Sequence, residues 1–365
     1  MPIPLLLHGH HAEAAVLYEP FGPWIVPWRL SSFDQEYDAL RAGAALIDYS
    51  VLAAIEVQGP DRISFLQNLV SNDVKRLSPG GGCQAALLSP EAKVIALLVV
   101  VVDPSSVWLL CPVERAAIVA QTLERYVFSE AVTVTNHERR EAVLALQGPR
   151  TLEVLGRLTG APIALARDGE HVRSTLTERS VRLIRHDLTD APGVLCLVDA
   201  AQAQALWQRL QERGMPPIGW EALNAARIEA GRAWFDIDLD SDNLLPETGL
   251  EATAVSATKG CYVGQEIVAR IGTYGSVSKK LMGLLVEGEG IPQPGDAIVR
   301  QEDTVGRITS ACRSPRLQRP IALGYVKRGA YEPRTAVEIV RGGSRMSATV
   351  VDRPLVNPSS TARTR

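Results

Sequence analysis

Short apolar runs alternate with segments of helical spacing through the first 140 residues. The apolar runs predict strands near residues 53–58, 83–88, 93–102 and 107–111. After the first run, Ile63, Leu66 and Leu69 fall on one face of a helix that starts at Asp61. Strands interleaved with amphipathic helices in this way are typical of an α+β fold.

The same order of elements returns later in the chain. The segment AVLALQGPRTLEVLGRL matches AAIEVQGPDRISFLQNL in its strand, its Gln-Gly-Pro turn and its amphipathic helix. Gln58 and Gln147 are 89 residues apart, and so are Leu66 and Leu155. Because the flanking positions keep the same spacing as the tripeptide, we predict an internal duplication of one α+β unit.

The pattern changes after Lys279. Short apolar runs separated by Gly and Pro predict a small β-barrel, and the final NPSSTARTR predicts a disordered tail. We therefore expect three domains: a first α+β domain over residues 30–140, a second over 141–278, and the barrel over 279–356.

Two features near the N-terminus are more local. Ser32–Gln35 has the form of a capping box and predicts a helix that runs to about Leu46. The HGHH segment, His8 to His11, has residues that bind metals, but we interpret it as a solvated tail. His137, His171 and His186 are isolated in the sequence and are interpreted as structural or surface residues.

Composition narrows the class of protein. The 365 residues carry a formal net charge of -3, which does not favour nucleic acid or an anionic membrane. The longest apolar run, Val94 to Val102, has nine residues, whereas a membrane-spanning helix needs about 20. Five cysteines without a Cys-x-x-Cys pair argue against a disulfide framework or a structural zinc site. We expect a cytoplasmic protein without a bound metal.

One segment, TKGCYVGQEIVAR, concentrates the candidate chemistry. Cys261 lies two residues after Lys259 and shortly before a helix that Gly264 could open. A nearby cation and a helix N-terminus both lower the pKa of a thiol, while Glu266 would oppose this. The alternative, which the residues alone leave equally open, is that Cys261 is a small packed residue in a tight turn. The other four cysteines lie in apolar runs and are predicted to be core residues.

KGCYVGQEIVAR also resembles the signature of YgfZ-type proteins, relatives of the glycine-cleavage T-protein. The segments VQGPDRISFLQNLVSNDV, ARIEAGR and GRITSACRSPRLQRPIALGYV extend the resemblance over most of the chain. It implies two related ferredoxin-like α+β domains and a C-terminal β-barrel around a central, folate-sized cavity. It also implies a functional site at Cys261, Lys259, Gln265 and Glu266.

The resemblance further implies tetrahydrofolate, or a one-carbon derivative of it, as cofactor. Its contacts would come from Arg227, Tyr262, Gly264 and Asn72. Arg227 would pair with an anionic group of the folate, although a salt bridge on the helix surface is nearly as consistent with the sequence.

Two departures argue against the transferase itself. T-proteins carry adjacent aspartates where this chain has Ala96 and Leu97, and acidic residues where it has Ala191 and Leu195. The resemblance implies that the first of the two aspartates, at the position of Ala96, lies against the reactive folate nitrogen, and a methyl group cannot replace a carboxylate in proton transfer. Loss of the acidic residues at positions 191 and 195 weakens the expected binding of the pterin ring. Asp48 and Asp73 are the remote alternatives for a replacement acid.

The leading hypothesis is therefore a tetrahydrofolate-linked factor for assembly or repair of iron–sulfur proteins, with Cys261 as its functional thiol. Its partners would be iron–sulfur client or assembly proteins, and we expect a monomer. The alternatives are a folate-dependent one-carbon (aminomethyl-type) transferase and a non-catalytic folate-binding module. The aminomethyltransferase-like fold is expected without aminomethyltransferase activity.

Overall fold

The structure is a computed structural model that describes residues 2–12 and 17–356. The predicted disordered tail lies outside this range. A small sheet with the order β1-β3-β2 comes first, formed by β1 (Ile3–Pro4), β2 (Leu17–Phe21) and β3 (Trp24–Arg29).

The HGHH segment is not a solvated tail. It forms a short helix, α1 (His8–His11), and the His11 ring is buried. His11 Nε2 lies 3.1 Å from Oδ2 of Asp48, and the ring packs edge-on against Trp207 at 4.7 Å. Both partners are distant in sequence, so the local composition gave no sign of the contact.

The helix α2 (Phe33–Ala42) begins where its cap predicts, but it ends earlier than Leu46. The Ser32 hydroxyl accepts a hydrogen bond from the Gln35 amide at 3.4 Å. The helix stops at Gly43, and the following residues form the strand β4 (Ala45–Asp48). This strand is fully buried, which explains why its apolar residues resembled a helix face.

The first half of the duplication forms a five-stranded antiparallel sheet. Its strands are β5 (Leu52–Gln58), β6 (Gly82–Leu88), β7 (Val94–Val102), β8 (Ser106–Pro112) and β9 (Thr133–Asn136). They have the order β6-β7-β8-β5-β9. One face carries the helices α3 (Arg62–Leu69) and α4 (Ala116–Arg125), the latter preceded by a 3-10 turn (Val113–Arg115). Leu66 and Val119 from these helices join the buried core of this sheet.

The second half repeats this arrangement. Its strands are β10 (Glu141–Gln147), β11 (His171–Leu176), β12 (Arg179–Arg185) and β13 (Gly193–Asp199), with the helices α5 (Thr151–Thr159) and α6 (Ala200–Glu212). The sheet order is β11-β12-β13-β10-β4. The order of the repeated elements confirms the duplication. The fifth strand, however, is β4, which lies within the predicted first domain.

Both Gln-Gly-Pro turns depend on glycine. Gly59 has φ +110° and Gly148 has φ +129°. A Cβ atom on Gly59 would lie 2.0 Å from the carbonyl oxygen of Ala131, and one on Gly148 would lie 2.4 Å from that of Gly43. Ala131 and Gly43 each stand two residues before an edge strand, β9 and β4. The repeated turns therefore fix the edge strand of each sheet by the same close backbone approach.

Gly148→Ala is expected to lower the free energy of unfolding by at least about 2 kcal/mol, because it adds a steric clash to a strained φ. The matched control is Gly160→Ala, since Gly160 also has a positive φ of +73° but nothing lies within 4 Å of its Cβ position. Only backbone strain of about 1 kcal/mol acts there. Urea denaturation of both variants checks the difference, and equal losses would contradict the steric argument.

The remaining chain consists of short helices and the barrel. The helices are α7 (Trp220–Glu229), α8 (Leu245–Thr248), α9 (Glu251–Ala254) and α10 (Gln265–Tyr274). The barrel is closed in the order β14-β17-β16-β15-β18-β19, from β14 (Lys279–Val286), β15 (Ala297–Arg300), β16 (Asp303–Ser314), β17 (Arg319–Lys327), β18 (Ala336–Arg341) and β19 (Ser344–Val351). The predicted mixed fold with a C-terminal β-barrel is thus confirmed.

Contacts divide the chain into two compact units. The first contains Met1–Ala222 and Leu250–Ile267, and the second contains Leu223–Gly249 and Val268–Arg365. Both five-stranded sheets belong to the first unit, and the barrel belongs to the second. Over the described residues, every helix falls short of the length and apolar character that a membrane crossing demands.

Candidate functional site

Cys261 lies in an exposed loop between α9 and α10. The loop closes in a tight turn at Gly264, which has φ +82° and whose Cβ position is 2.7 Å from the carbonyl oxygen of Ser89. The Gln265 side chain accepts a hydrogen bond from the backbone amide of Tyr262 at 3.2 Å. The backbone thus forms a tight turn, but Cys261 is exposed and is not the packed residue of the alternative hypothesis. A functional role for the thiol stays a prediction.

Lys259 holds this loop against the end of the helix α3 and the residues that follow it. Its buried ammonium donates to the carbonyl oxygens of Gln67, Val70 and Asn72 at 2.6, 2.5 and 3.0 Å. Burial lowers the pKa of this amine to about 8, while the nearby Asp73 acts in the opposite direction. All three donors of the ammonium thus have backbone acceptors.

This geometry makes Lys259 an anchor of the loop. Its Nζ atom also lies 5.0 Å from the ring of Tyr262, which is itself 8% exposed. A fixed lysine and a packed tyrosine hold the backbone on either side of Cys261. The amine of Lys259 is directed at these carbonyl groups. Lowering of the thiol pKa of Cys261 by the charge of Lys259 therefore stays a prediction.

The other predicted site residues divide into exposed and structural groups. Glu266 is exposed in the first turn of α10. Asn72 is engaged in the fold, since its amide donates to the carbonyl oxygens of Gln84 at 2.7 Å and Thr253 at 3.2 Å. Roles for Asn72, Tyr262 and Gly264 in folate binding stay predictions.

Arg227 lies in the second unit and is fully buried. Its guanidinium donates to Asn224 Oδ1 at 2.9 Å, Asp238 Oδ2 at 2.5 Å and Ser310 Oγ at 2.6 Å. It also lies 4.6 Å from the ring of Trp234. The alternative prediction was a salt bridge on the helix surface. Arg227 does form a salt bridge, with Asp238, but the pair is buried, so its predicted location is wrong. These contacts support a structural role, and pairing of Arg227 with folate stays a prediction.

The second unit also contains a cavity that sequence reasoning missed. It has a volume of about 350 Å³ and lies between the segment Asp236–Asp240 and the barrel residues Arg307 to Thr309. The sequence held no motif for it, because its walls come from segments about 70 residues apart. Within the described ranges, no three His, Cys, Asp or Glu side chains gather closely enough to hold a metal ion.

Family comparisons match nearly the whole chain. Residues 7–259 match the model of the GCVT N-terminal domain, and residues 279–357 match that of the glycine cleavage T-protein C-terminal barrel domain. The chain belongs to the glycine cleavage T-protein family. Members of this family that are aminomethyltransferases use tetrahydrofolate.

Individual relatives agree with this assignment. The chain is 29% identical over 348 residues to an aminomethyltransferase of Parasynechococcus marenigrum (strain WH8102), covering 93% of this chain and 95% of the relative. It is 27% identical over 346 residues to one from Nostoc sp. (strain PCC 7120 / SAG 25.82 / UTEX 2576), covering 93% and 92%. The crystal structure of glycine cleavage system aminomethyltransferase T from Bartonella henselae shares the fold, with a TM-score of 0.87, 24% identity and 98% of each chain covered.

The first pair of substituted T-protein acids lies on opposite faces of β7. Ala96 is fully buried in the core of the first sheet, whereas the neighbouring Leu97 lies on the other face and is half-buried. Position 96, which was expected to face the folate, therefore faces the core of the sheet instead. Of the two positions, only 97 is placed to meet a ligand on the face opposite the helices.

The second pair of positions is equally apolar and more enclosed. Leu195 is fully buried in β13, between Ala145 and Ile184 of the neighbouring strands. Ala191 is 8% exposed, in the loop that precedes that strand. Neither position offers a carboxylate to a pterin.

The two remote acids are engaged elsewhere. Asp48 is buried against His11, and its Oδ1 accepts from the Ser50 amide at 3.1 Å. Asp73 accepts from Arg76 at 3.1 Å and from the Gln67 amide group at 3.1 Å. These contacts give neither carboxylate a visible role as a replacement acid.

Proposed function

We propose that this chain is a reduced-folate-dependent protein of the one-carbon transferase type, distinct from the glycine-cleavage enzyme itself. The observation that carries the proposal is the match of both T-protein domains over nearly the full length, together with relatives named aminomethyltransferase. The distinction rests on the apolar residues Leu97, Ala191 and Leu195. They leave these positions without a carboxylate, although the strands β7 and β13 are formed.

Calorimetry with tetrahydrofolate tests the binding half of this proposal, with oxidised folate as the control ligand. Each lost charge-assisted hydrogen bond is worth about 1.5–3 kcal/mol, so the complex is expected to be about ten- to a hundredfold weaker per missing carboxylate. Binding of tetrahydrofolate in the micromolar range or above supports the proposal. An absence of binding heat with millimolar tetrahydrofolate would contradict it.

Aminomethyl transfer from a glycine-derived intermediate to tetrahydrofolate is expected to be far slower than about 1 per second, a rate ordinary for enzymes. The reason is that no carboxylate stands at position 97 to take part in proton transfer. The aminomethyltransferase of Parasynechococcus marenigrum, assayed in parallel, is the positive control. Turnover by this chain at the rate of that control would contradict the prediction.

The structure also offers a matched pair of variants for this assay. Leu97→Asp places a carboxylate on the half-buried face, where it can gain transfer activity. Ala96→Asp places the same group in the apolar core and is expected to destabilise the fold instead. A gain confined to Leu97→Asp would show that the missing acid limits the reaction.

A second candidate function is supported by Cys261. An exposed thiol on a loop anchored by Lys259 suits contact with a partner or a metal cluster, as in YgfZ-type factors that assemble or repair iron–sulfur proteins. Under this proposal the partners are iron–sulfur client or assembly proteins and the chain acts in the cytoplasm as a monomer. Activity of iron–sulfur enzymes in cells carrying Cys261→Ser is the test. Normal activity in the variant would exclude the thiol from such a role.

A further inference from the structure

His186 belongs to a hydrogen-bonded group that no motif announced. Its Nδ1 lies 3.1 Å from Oδ1 of Asp168, and the other oxygen of Asp168 accepts from Nε2 of Gln84 at 2.5 Å. The side chains of His186 and Asp168 are 16% and 34% exposed. The imidazole is thus oriented by a carboxylate that is itself oriented by an amide.

The backbone of His186 is held as firmly as its ring. Its amide donates to the Gly193 carbonyl oxygen at 3.0 Å, and its own carbonyl oxygen accepts from the buried Gln147 side chain at 3.1 Å. Gly193 is pressed against that side chain, since a Cβ atom there would lie 2.2 Å from the amide. The Gln147 of the repeated tripeptide therefore fixes the position of the histidine.

A ring nitrogen open to solvent distinguishes this dyad from the buried pairs of His11 and His171. His11 is 2% exposed, and the Nε2 of His171 is taken by the carbonyl oxygen of Val102. His137 is as exposed as His186, at 18% against 16%, but its ring stacks on Trp108 and its Nε2 lies against Glu56. In His186, by contrast, Nε2 has no polar partner in the described part of the chain and is not among its buried unpartnered atoms, so it reaches solvent.

Gln84, which holds the carboxylate of the dyad, shares a sheet face with the position of the missing acid. Gln84 pairs with Val99 and Ala86 pairs with Leu97 across β6 and β7. Residues that pair in an antiparallel ladder, and those two apart on one strand, point to the same face. Gln84 and Leu97 are therefore diagonal neighbours, roughly 7 Å apart.

We propose that His186 is a catalytic residue that exchanges a proton with the bound substrate, with Asp168 and Gln84 as positioning residues. This inference rests on the proposed function, in which the substrate is a reduced folate or the amine that carries its one-carbon unit. As the folate nitrogen forms its bond to the one-carbon group, Nε2 takes the proton from that nitrogen, and Asp168 stabilises the imidazolium that forms. The bond between the one-carbon group and the amine nitrogen breaks in the same transfer. The proton returns from Nε2 to the leaving nitrogen, which restores the neutral ring.

The acidic side chains next to the dyad in sequence are held in ion pairs with arginines. In the loop before β11, Glu170 is held by Arg167 at 2.7 Å. Directly after His186, Asp187 accepts from Arg185 at 2.8 Å. Burial raises the pKa of the Cys83 thiol, next to Gln84, to about 12, so this thiol stays protonated at neutral pH.

The test combines NMR of the histidine ring with calorimetry between about pH 5.5 and 8, where histidines titrate. Tetrahydrofolate should shift the His186 ring signals of the wild-type protein, and its affinity should change about tenfold over this range. His186→Asn should reduce that change to less than about twofold, while Asp168→Asn should alter the response of the His186 ring signals to tetrahydrofolate. The matched control is His137→Asn, which removes another half-buried histidine–carboxylate pair and should keep the wild-type pH profile.

The outcomes separate this inference from the proposed function. Absence of tetrahydrofolate binding by the wild-type chain would overturn both. Binding with undisturbed His186 signals, or with the same pH profile in His186→Asn as in wild type, would overturn the role of the dyad alone. A profile lost in His186→Asn and kept in His137→Asn supports it.

Discussion

Replacing Arg227 by alanine is expected to lower the free energy of unfolding by about 3–5 kcal/mol, the cost of breaking a buried ion pair. The variant leaves the fully buried carboxylate of Asp238 without its cation. Thr309 and Ser310 still donate their hydroxyls to Asp238 at 2.7 and 2.6 Å, but neutral donors cannot balance the charge. Urea denaturation followed by fluorescence of Trp234, which contacts the guanidinium, measures the loss.

The matched control is Arg29→Ala. Arg29 also pairs with a carboxylate, Glu221, but the two side chains are 40% and 23% exposed, so about 0–1 kcal/mol is expected. If Arg227→Ala were as stable as this control and yet lost affinity for tetrahydrofolate, the structural assignment would be wrong. The residue would then be a folate ligand, as the resemblance to YgfZ-type proteins predicts.

Much of the fold could be read from the sequence because the duplication repeats local constraints. Each Gln-Gly-Pro turn needs a glycine with positive φ, and each following helix needs its apolar face, so the two halves kept matching residues. The sequence did not predict which segment supplies the fifth strand of the second sheet. The insertion of β4 beside β10 joins residues about 100 positions apart, and no local pattern encodes that pairing.

The candidate site was predictable in its backbone and less so in its polar side chains. The tight turn at Gly264 and the exposure of Cys261 both agree with the spacing of the motif. The direction of the Lys259 amine does not follow from spacing, because its acceptors near Val70 come from a segment about 190 residues earlier. The partners of Arg227 and His186 are likewise set by tertiary packing, which cannot be predicted from the periodicity of the sequence.

Cys261 is expected to be alkylated at least about a hundredfold faster than any other cysteine of the native protein at pH 8. Burial raises the pKa of the Cys83, Cys111 and Cys196 thiols to about 12, so only on the order of 1 in 10⁴ of each is the reactive thiolate at that pH. Burial raises the pKa of Cys312 as well. Exposure gives Cys261 the additional advantage of direct access to the reagent.

Iodoacetamide labelling with mass-spectrometric mapping measures this order of reaction across pH 6 to 9. Cys261→Ser is the control for the fast phase, and it should keep the stability of the wild-type protein because the side chain is exposed. Labelling in concentrated urea should make all five cysteines equivalent, since the burial that raises the other pKa values is lost. Labelling of Cys261 only after unfolding would mean that the turn shields the thiol. The segment from Thr258 to Arg270 would then be a packing motif, and the iron–sulfur proposal would lose the observation on which it depends.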